Sequence, residues 1–205
     1  MLGAMYVLTI VTCFPFIEMF GLNHLFQFFV SQDLFLIIEN LKYYLESDEI
    51  QSITDDIELF MGRRFAYNGN ENRIFNTGGP GYTMNKRGLK MLAKNLFERN
   101  DRVCRPHVHT SAEDLMVADC FRANNVHPYD TRDEFGSERF MHFTPAWHYT
   151  YRAPKYPDND WYSKYMKPFN LKFGLDHYSK YSVAFHYVEP EEMKRFYSIL
   201  HGLCS

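Results

Sequence analysis

Apolar residues recur at intervals of three and four positions along four segments of the chain, which is the spacing of one face of a helix. These segments are residues 33–45, 87–98, 111–125 and 191–201. The pattern therefore predicts four helices, the first of which occupies most of its segment.

Residues at the ends of these segments are typical of helix termini. Asn85 can cap the second helix, and Ser111 with Asp114 gives a pattern close to a capping box at the start of the third. Pro190 begins the fourth helix and Gly202 follows it, which is the usual order of these two residue types.

Aromatic and β-branched residues predict strands at residues 58–65 and 181–188. A turn rich in Asn and Gly follows the first of them, at residues 67–72. Residues 126–180 are rich in Pro and Tyr and predict a long loop, which in a compact chain is usually functional or poorly ordered. The alternation of strands and helices favours an α/β layered domain.

The length of 205 residues suits one sizeable core and is short for two independent domains. Aromatic residues make up 18% of the chain, so core material is plentiful. The net charge is −3, with acidic and basic residues mixed along the sequence, so no basic stripe indicates a nucleic-acid partner.

Residues 1–32 differ from the rest of the chain because their first 17 residues carry no charge. Three interpretations are open: a short membrane anchor, a buried hydrophobic element, or residues foreign to the natural protein, such as a misread gene start. Pro15 and the absence of basic residues at the start count against the anchor.

The four cysteines, Cys13, Cys104, Cys120 and Cys204, lack the spacing of a structural zinc site. Cys104 and Cys120 flank a short polar stretch and the start of a predicted helix, so a disulfide between them is geometrically plausible. Such a disulfide implies an oxidising compartment. The alternative is buried free thiols in a cytosolic protein.

Glu113 and Asp114 are adjacent carboxylates at the start of the third predicted helix. Carboxylates there are stabilised by the helix dipole, which is one explanation for them. The functional alternative is that one is a general base that deprotonates a hydroxyl group. The histidines of interest are His142, His148 and His186, each of which is either a packed residue or a ligand.

Residues 77–86 read TGGPGYTMNK and place three glycines in front of the second predicted helix. Glycine lets the backbone pass close to a ligand or adopt a positive φ. The Lys and Ser/Thr spacing of a phosphate-binding P-loop is missing. Trp147, Trp161 and neighbouring tyrosines can form a platform for a sugar ring or belong to the core.

Five blocks of the sequence together resemble a known family, the core 1 β1,3-galactosyltransferases of the Fringe-like β1,3-glycosyltransferase group. In chain order the blocks are FMGRRF, TGGPGYTMNKRGLKMLA, SAEDLMVADC, YDTRDEFGSERF and SVAFHYV. The resemblance covers about residues 33–200.

The resemblance implies a GT-A type α/β fold and a type II membrane enzyme of the Golgi lumen. Such an enzyme uses UDP-galactose and Mn²⁺ to transfer galactose, with inversion, to the 3-hydroxyl of GalNAc on Ser or Thr of a glycoprotein. Asp114 matches the catalytic base, and Glu113 becomes a neighbour that orients the acceptor or the helix. The expected walls of the substrate site are Gly78, Gly79, Gly81, Tyr82, Trp161 and Tyr162.

The chain departs from the family at the acidic run that holds the metal and the donor. The family has three aspartates where this chain has Ser31, Gln32 and Asp33, so Asp33 is the remaining metal ligand. The family also supplies a histidine, for which His148 and His142 are candidates, with His148 favoured.

The family has the first half of its nucleotide-binding fold upstream of this run. We therefore expect residues 33–205 to be the C-terminal, metal-side and acceptor-side part of a truncated catalytic domain. The alternative function is a catalytically impaired remnant that binds glycoprotein or a partner subunit. The oligomeric state stays open, with a homodimer as one candidate.

Overall fold

The computed structural model describes residues 8–11, 14–18, 26–29, 31–98, 103–104, 112–156 and 159–202. The strands are β1 Leu8–Val11, β2 Phe14–Glu18, β3 Phe26–Phe29, β4 Phe35–Leu36, β5 Phe60–Gly62, β6 Arg64–Ala66, β7 Ile74–Asn76, β8 Tyr82–Asn85, β9 Phe140–Met141 and β10 Ala184–Phe185. The α-helices are α1 Ile38–Leu45, α2 Asp48–Gln51, α3 Lys86–Glu98, α4 Glu113–Ala123, α5 Pro145–Thr150, α6 Trp161–Met166 and α7 Pro190–His201.

The largest sheet has five strands in the order β1-β2-β3-β8-β5, and all its neighbours are antiparallel. Phe26 and Phe28 of β3 alternate with less buried residues and lie in the core, as expected for a strand with one buried face. The described parts of residues 1–32 are thus mainly strands, and β3 is a buried hydrophobic element. The rest of the predicted anchor segment lies outside the described residues.

Two smaller sheets complete the β structure. One has the order β4-β10-β9, in which β10 pairs antiparallel with β4 and parallel with β9, and the other is the hairpin of β6 and β7. The class is therefore mixed α/β with small sheets, which is compatible with a glycosyltransferase-like fold. Across the described ranges, the helices are too short or too polar to cross a bilayer.

The first predicted helix is confirmed over most of its segment, and the part before Ile37 contains a short strand instead. The helix begins at Ile38, because Phe35 and Leu36 pair with β10 and the backbone N–H of Ile37 donates to the carbonyl of Val183 at 2.8 Å. Phe35 also packs its ring edge against Phe196 of α7. Tertiary strand pairing here overrides a local helical spacing.

The second and fourth predicted helices are confirmed as α3 and α7. Asn85 caps α3, because its Oδ1 accepts the N–H of Gly88 at 2.9 Å, and it also accepts the N–H of Leu59 at 3.0 Å. Its Nδ2 donates to the carbonyls of Thr54 and Ile57 at 2.7 and 2.8 Å. All four hydrogen-bonding positions of this buried amide are used, so the residue holds β8 against the segment after α2.

The third predicted helix is α4, and it is shorter than expected. It begins at Glu113, and the preceding Ala112 has no side-chain capping bond; Ser111 lies outside the described residues. A disulfide joins Cys104 to Cys120 of α4.

The strand predicted at residues 58–65 divides at Arg63 into β5 and β6, which belong to different sheets. Arg63 is fully buried, and its Nη1 lies 2.8 Å from the Oε2 of Glu138. A buried guanidinium needs such partners because an unpaired buried charge is very costly. The predicted loop of residues 126–180 contains β9, α5 and α6, and the Tyr162 hydroxyl of α6 lies 2.6 Å from the Nη2 of Arg63.

Candidate active site

Asp114, at the start of α4, is held by the glycine turn between β7 and β8. Its Oδ2 accepts the backbone N–H of Gly78 at 3.1 Å, and its Oδ1 accepts the N–H of Leu115 at 2.8 Å. The nearby Thr77 hydroxyl also lowers the pKa of this carboxyl group. Because each carboxylate oxygen has two lone pairs, the group keeps acceptor capacity while its position is fixed.

Glu113 is the first residue of α4, and its side chain lies against Gly78 of the glycine turn. A Cβ atom at Gly78 would fall 2.5 Å from its Oε1, so the absence of a side chain there makes room for the carboxylate. Burial raises the pKa of Glu113, and the charge of Asp114 raises it further. Burial also raises the pKa of Asp114, although the hydrogen bonds from Gly78 and Leu115 oppose the shift. A raised pKa makes a carboxylate a better proton acceptor near neutral pH.

A cavity of about 340 Å³ opens beside Asp114. Asp114, Thr77 and His142 contribute its polar groups, and the rest of the wall is mainly aromatic. Trp161 lies on this wall with 48% of its surface exposed. A mostly apolar cavity with a few convergent polar groups is typical of a small-molecule site.

Trp161 is the one of the six predicted wall residues that lines this cavity, and two of the others are buried in the core. Tyr162 is fully buried, and its hydroxyl accepts from the Nη2 of Arg63 at 2.6 Å and lies 3.1 Å from the Nε2 of His177. Tyr82 is buried under the turn, where its ring packs on Phe29 at 5.2 Å. Both rings therefore support the site from within the core, which corrects their predicted place in the substrate wall.

A second polar centre lies on the other side of the glycine turn. The Nε2 of His186 is 3.0 Å from the Oδ1 of Asp33, whose side chain is 44% exposed. The Oγ of Ser31 lies 3.2 Å from the same Asp33 oxygen and 2.9 Å from the carbonyl oxygen of Gly79. Gly79 passes so close to His186 that any side chain at this position would clash with the imidazole. Gly78 contacts the centre at Asp114, and Gly79 contacts the centre at His186. The two centres therefore adjoin neighbouring residues of one turn.

Gly81, the last glycine of the turn, has a φ of +72°, and its missing side chain gives space to the carbonyl of Phe29. An L residue rarely adopts this conformation, so the geometry of the turn requires glycine at this position.

His148, the histidine favoured as a second metal ligand, is not beside Asp33. It is fully buried, and its Nε2 accepts the N–H of Phe143 at 3.0 Å. Burial and the neighbouring His177 lower its pKa. His142, the other candidate, lies between the two centres, since its ring is 5.4 Å from that of His186 and its Nδ1 is 3.5 Å from the Thr77 hydroxyl.

The contact of His186 with Asp33 follows from strand pairing that the sequence alone does not reveal. Phe35 of β4 is directly opposite Phe185 of β10 in an antiparallel pair. The residues just before β4 therefore lie beside those just after β10, although the two segments are far apart in sequence. From the sequence alone, His186 is either a packed strand residue or a ligand without an assigned partner.

Asp33 and His186 together offer one carboxylate oxygen and one imidazole nitrogen, donors that suit a divalent cation such as Mn²⁺. Among the described residues, no cluster of three His, Cys, Asp or Glu side chains could hold a metal ion. The donor set therefore fits a cation that takes its other ligands from water and from substrate phosphates, as such ions often do.

No protein-family model matches the chain. Over 184 residues the chain is 27% identical to a protein of Xenopus laevis, glycoprotein-N-acetylgalactosamine 3-beta-galactosyltransferase 1. The aligned region covers 89% of this chain and 47% of that protein, so the chain spans about half the length of this curated relative. The similarity supports a distant relationship to glycosyltransferases of the core 1 β3-galactosyltransferase kind.

Proposed function

We propose that the chain forms the acceptor-side part of an inverting glycosyltransferase that moves galactose from UDP-galactose to the 3-hydroxyl of GalNAc on glycoproteins. The observation that carries this proposal is the carboxylate of Asp114, which is fixed by the turn at Gly78 on the edge of an aromatic cavity. The similarity to the Xenopus galactosyltransferase supplies the choice of sugar and acceptor.

Asp114 acts as the general base in this reaction. One of its carboxylate oxygens takes the proton of the acceptor 3-hydroxyl while the oxygen of that hydroxyl forms a bond to the anomeric carbon of galactose. The bond between this carbon and the UDP phosphate oxygen breaks, and UDP leaves with the electron pair. A single displacement of this kind inverts the configuration at the anomeric carbon.

Trp161 and its aromatic neighbours hold the sugar. Flat aromatic faces pack well against the C–H surface of a pyranose ring, and the half-exposed indole is open to the cavity. Thr77 lies on the same cavity wall, and its hydroxyl favours the charged form of the Asp114 carboxylate. Glu113 lies behind Asp114, against Gly78, and supports the turn.

Asp33 and His186 are the residues that would hold Mn²⁺. When bound, the ion neutralises the negative charge that develops on the departing diphosphate. Ser31 fixes the position of the Asp33 carboxylate and joins it to the turn through the Gly79 carbonyl.

The proposal extends to a Golgi-lumen location, a membrane-anchored form and a homodimer. The disulfide between Cys104 and Cys120 agrees with an oxidising secretory compartment.

Mass spectrometry of a GalNAc-peptide incubated with the chain, UDP-galactose and Mn²⁺ tests the reaction. Asp114→Asn preserves the size of the side chain and removes the base, so turnover should fall by about a factor of a thousand. Asp119→Asn is the matched control, because this residue lies on the same helix, pairs with Arg73 and Arg122, and does not line the cavity. Undiminished turnover by Asp114→Asn would contradict the assignment of the base.

A second candidate is a catalytically impaired remnant that binds glycoprotein or a partner subunit. It is favoured by Ser31 and Gln32, which leave Asp33 as the one carboxylate of its run. Calorimetric titration with a GalNAc-peptide separates the two candidates. Binding to the wild-type chain without any turnover supports the remnant, whereas turnover that depends on Asp114 supports the enzyme.

A further inference from the structure

Tyr187, directly after His186, has a left-handed backbone conformation with a φ of +54°. The other non-glycine residues of the described chain with positive φ are all asparagines: Asn68, Asn125 and Asn170. Asparagine tolerates this region because its short side chain bonds locally, whereas the Cβ of an aromatic residue is strained there. Tyr187 therefore adopts a conformation that its residue type does not favour.

Hydrogen bonds on both sides hold Tyr187 in this conformation. The N–H of His186 donates to the carbonyl of Met141 at 3.0 Å, and the N–H of Val188 donates to the carbonyl of Asp33 at 3.1 Å. The second bond joins the backbone around Tyr187 to the same residue whose carboxylate contacts His186. Strained residues persist when their surroundings fix them in this way, and they are concentrated at functional sites.

The left-handed turn places the phenol ring on the imidazole of His186. The two ring centroids are 3.9 Å apart, and the Tyr187 ring also stacks on Phe143 at 5.6 Å and meets His142 at 5.8 Å. The phenol is 53% exposed, so burial of the ring does not by itself explain the strained backbone. The contact with His186 is the closest of these three ring contacts.

Gly79 lies against the same imidazole. A Cβ atom at Gly79 would fall 2.3 Å from the Nδ1 of His186, so the backbone of the turn is in close contact with the ring. The imidazole is therefore confined by the turn at Gly79 and by the phenol of Tyr187, while its Nε2 faces Asp33. Removal of the phenol would free the ring to rotate away from Asp33.

We infer that Tyr187 is a positioning residue, whose left-handed backbone sets its ring against His186 and thereby holds the Nε2 of that histidine toward Asp33 for binding of a divalent cation. The inference rests on the cation site proposed above. It assigns the role to the Tyr187 ring, and the phenol hydroxyl is not required.

The test measures Mn²⁺ binding to the full chain by electron paramagnetic resonance, without substrate, together with the melting temperature. Tyr187→Gly removes the ring and relieves the strain, whereas Tyr187→Phe keeps the ring and removes the hydroxyl. Asn170→Gly is the matched control, because it changes a positive-φ residue outside both polar centres. Loss of a residue that orients a metal ligand typically weakens metal affinity about 10-fold to 100-fold.

We expect Tyr187→Gly to lose about 10-fold in Mn²⁺ affinity while its melting temperature stays within about 4 °C of the wild type. Tyr187→Phe and Asn170→Gly should bind Mn²⁺ as the wild type does. Wild-type affinity in Tyr187→Gly overturns the inference and leaves the cation site intact. Equal weakening in the Gly and Phe variants also overturns it, since the ring would then not be the relevant group. Failure of the wild-type chain to bind Mn²⁺ overturns the cation site and this inference together.

Discussion

Gly79 and His186 are in such close contact that the backbone of the glycine turn forms one wall of the histidine site. Gly79→Ala should push the imidazole away from Asp33 or displace the turn, because a Cβ atom would fall 2.3 Å from Nδ1. We expect Mn²⁺ affinity to fall by at least about 10-fold, as for other losses of ligand orientation, measured by calorimetric titration.

The control for this change is Gly174→Ala. Gly174, unlike Gly79, has a positive φ, and the space around its Cβ position is open, so alanine there costs backbone strain without a clash. If both variants bind Mn²⁺ equally well, the contact between Gly79 and His186 does not shape the site.

Ser31→Asp should tighten cation binding. The Ser31 Oγ lies 3.2 Å from the Asp33 Oδ1, so a carboxylate at position 31 would add a second anionic ligand next to the first. We expect Mn²⁺ affinity to rise about 10-fold, measured by the same titration. Ser31→Asn is the uncharged control of similar size, and an equal effect of both substitutions would argue against a cation at Asp33.

Stability should fall in mild acid because two buried histidines stay neutral in the folded protein. Burial lowers the pKa of His177 to about 3, and the adjacent Arg63 contributes to this shift. The pKa of buried His148 is lowered in the same direction, with His177, Arg63 and His142 adding to the effect. Tyr162 and the Arg63 partner Glu138 complete the groups that face this pair.

The unfolded chain binds protons at these histidines near pH 6.5, whereas the folded chain does not. The contribution of these histidines to the free energy of unfolding is therefore complete above about pH 6.5. It decreases as the pH falls toward 3, by about 1.4 kcal/mol per pH unit for each histidine. Urea unfolding at about pH 7.5 and about pH 5 measures the difference. His177→Gln should show a shallower pH dependence, and a slope equal to that of the wild type would contradict the assignment.

Removal of the Cys104–Cys120 disulfide should lower the free energy of unfolding. The two cysteines are 16 residues apart in sequence, and closing a loop of about that length stabilises a protein by about 3 kcal/mol. Urea unfolding of the Cys104→Ser, Cys120→Ser double variant measures the loss. Wild-type protein treated with a reductant should lose the same amount, and no change in either sample would contradict the prediction.

Local sequence signals predicted the helices whose ends have residues typical of helix termini. Asn85 at the start of α3, and Pro190 and Gly202 at the ends of α7, act within one turn of the helix, so their effect is visible in sequence. The glycine turn and Asp114, which belong to separate blocks of the resemblance, are joined by a hydrogen bond from the Gly78 N–H to the Asp114 carboxylate.

The remaining features depend on contacts between distant segments. His186 meets Asp33 because β4 pairs with β10, and the interrupted helix at Phe35 has the same cause. Tyr162 is buried because its hydroxyl is a partner of the buried guanidinium of Arg63. A spacing rule along one segment cannot report which other segment supplies a strand partner or a buried charge.

Deamidation of Asn85, a slow chemical reaction, would weaken the fold at this buried amide. Deamidation would replace the Nδ2 donor, which now faces the carbonyls of Thr54 and Ile57, with a carboxylate oxygen that repels both. Asn85 is only 1% exposed, so water reaches this amide mainly when β8 and α3 open. The working lifetime of the protein is thus tied to how often that region opens.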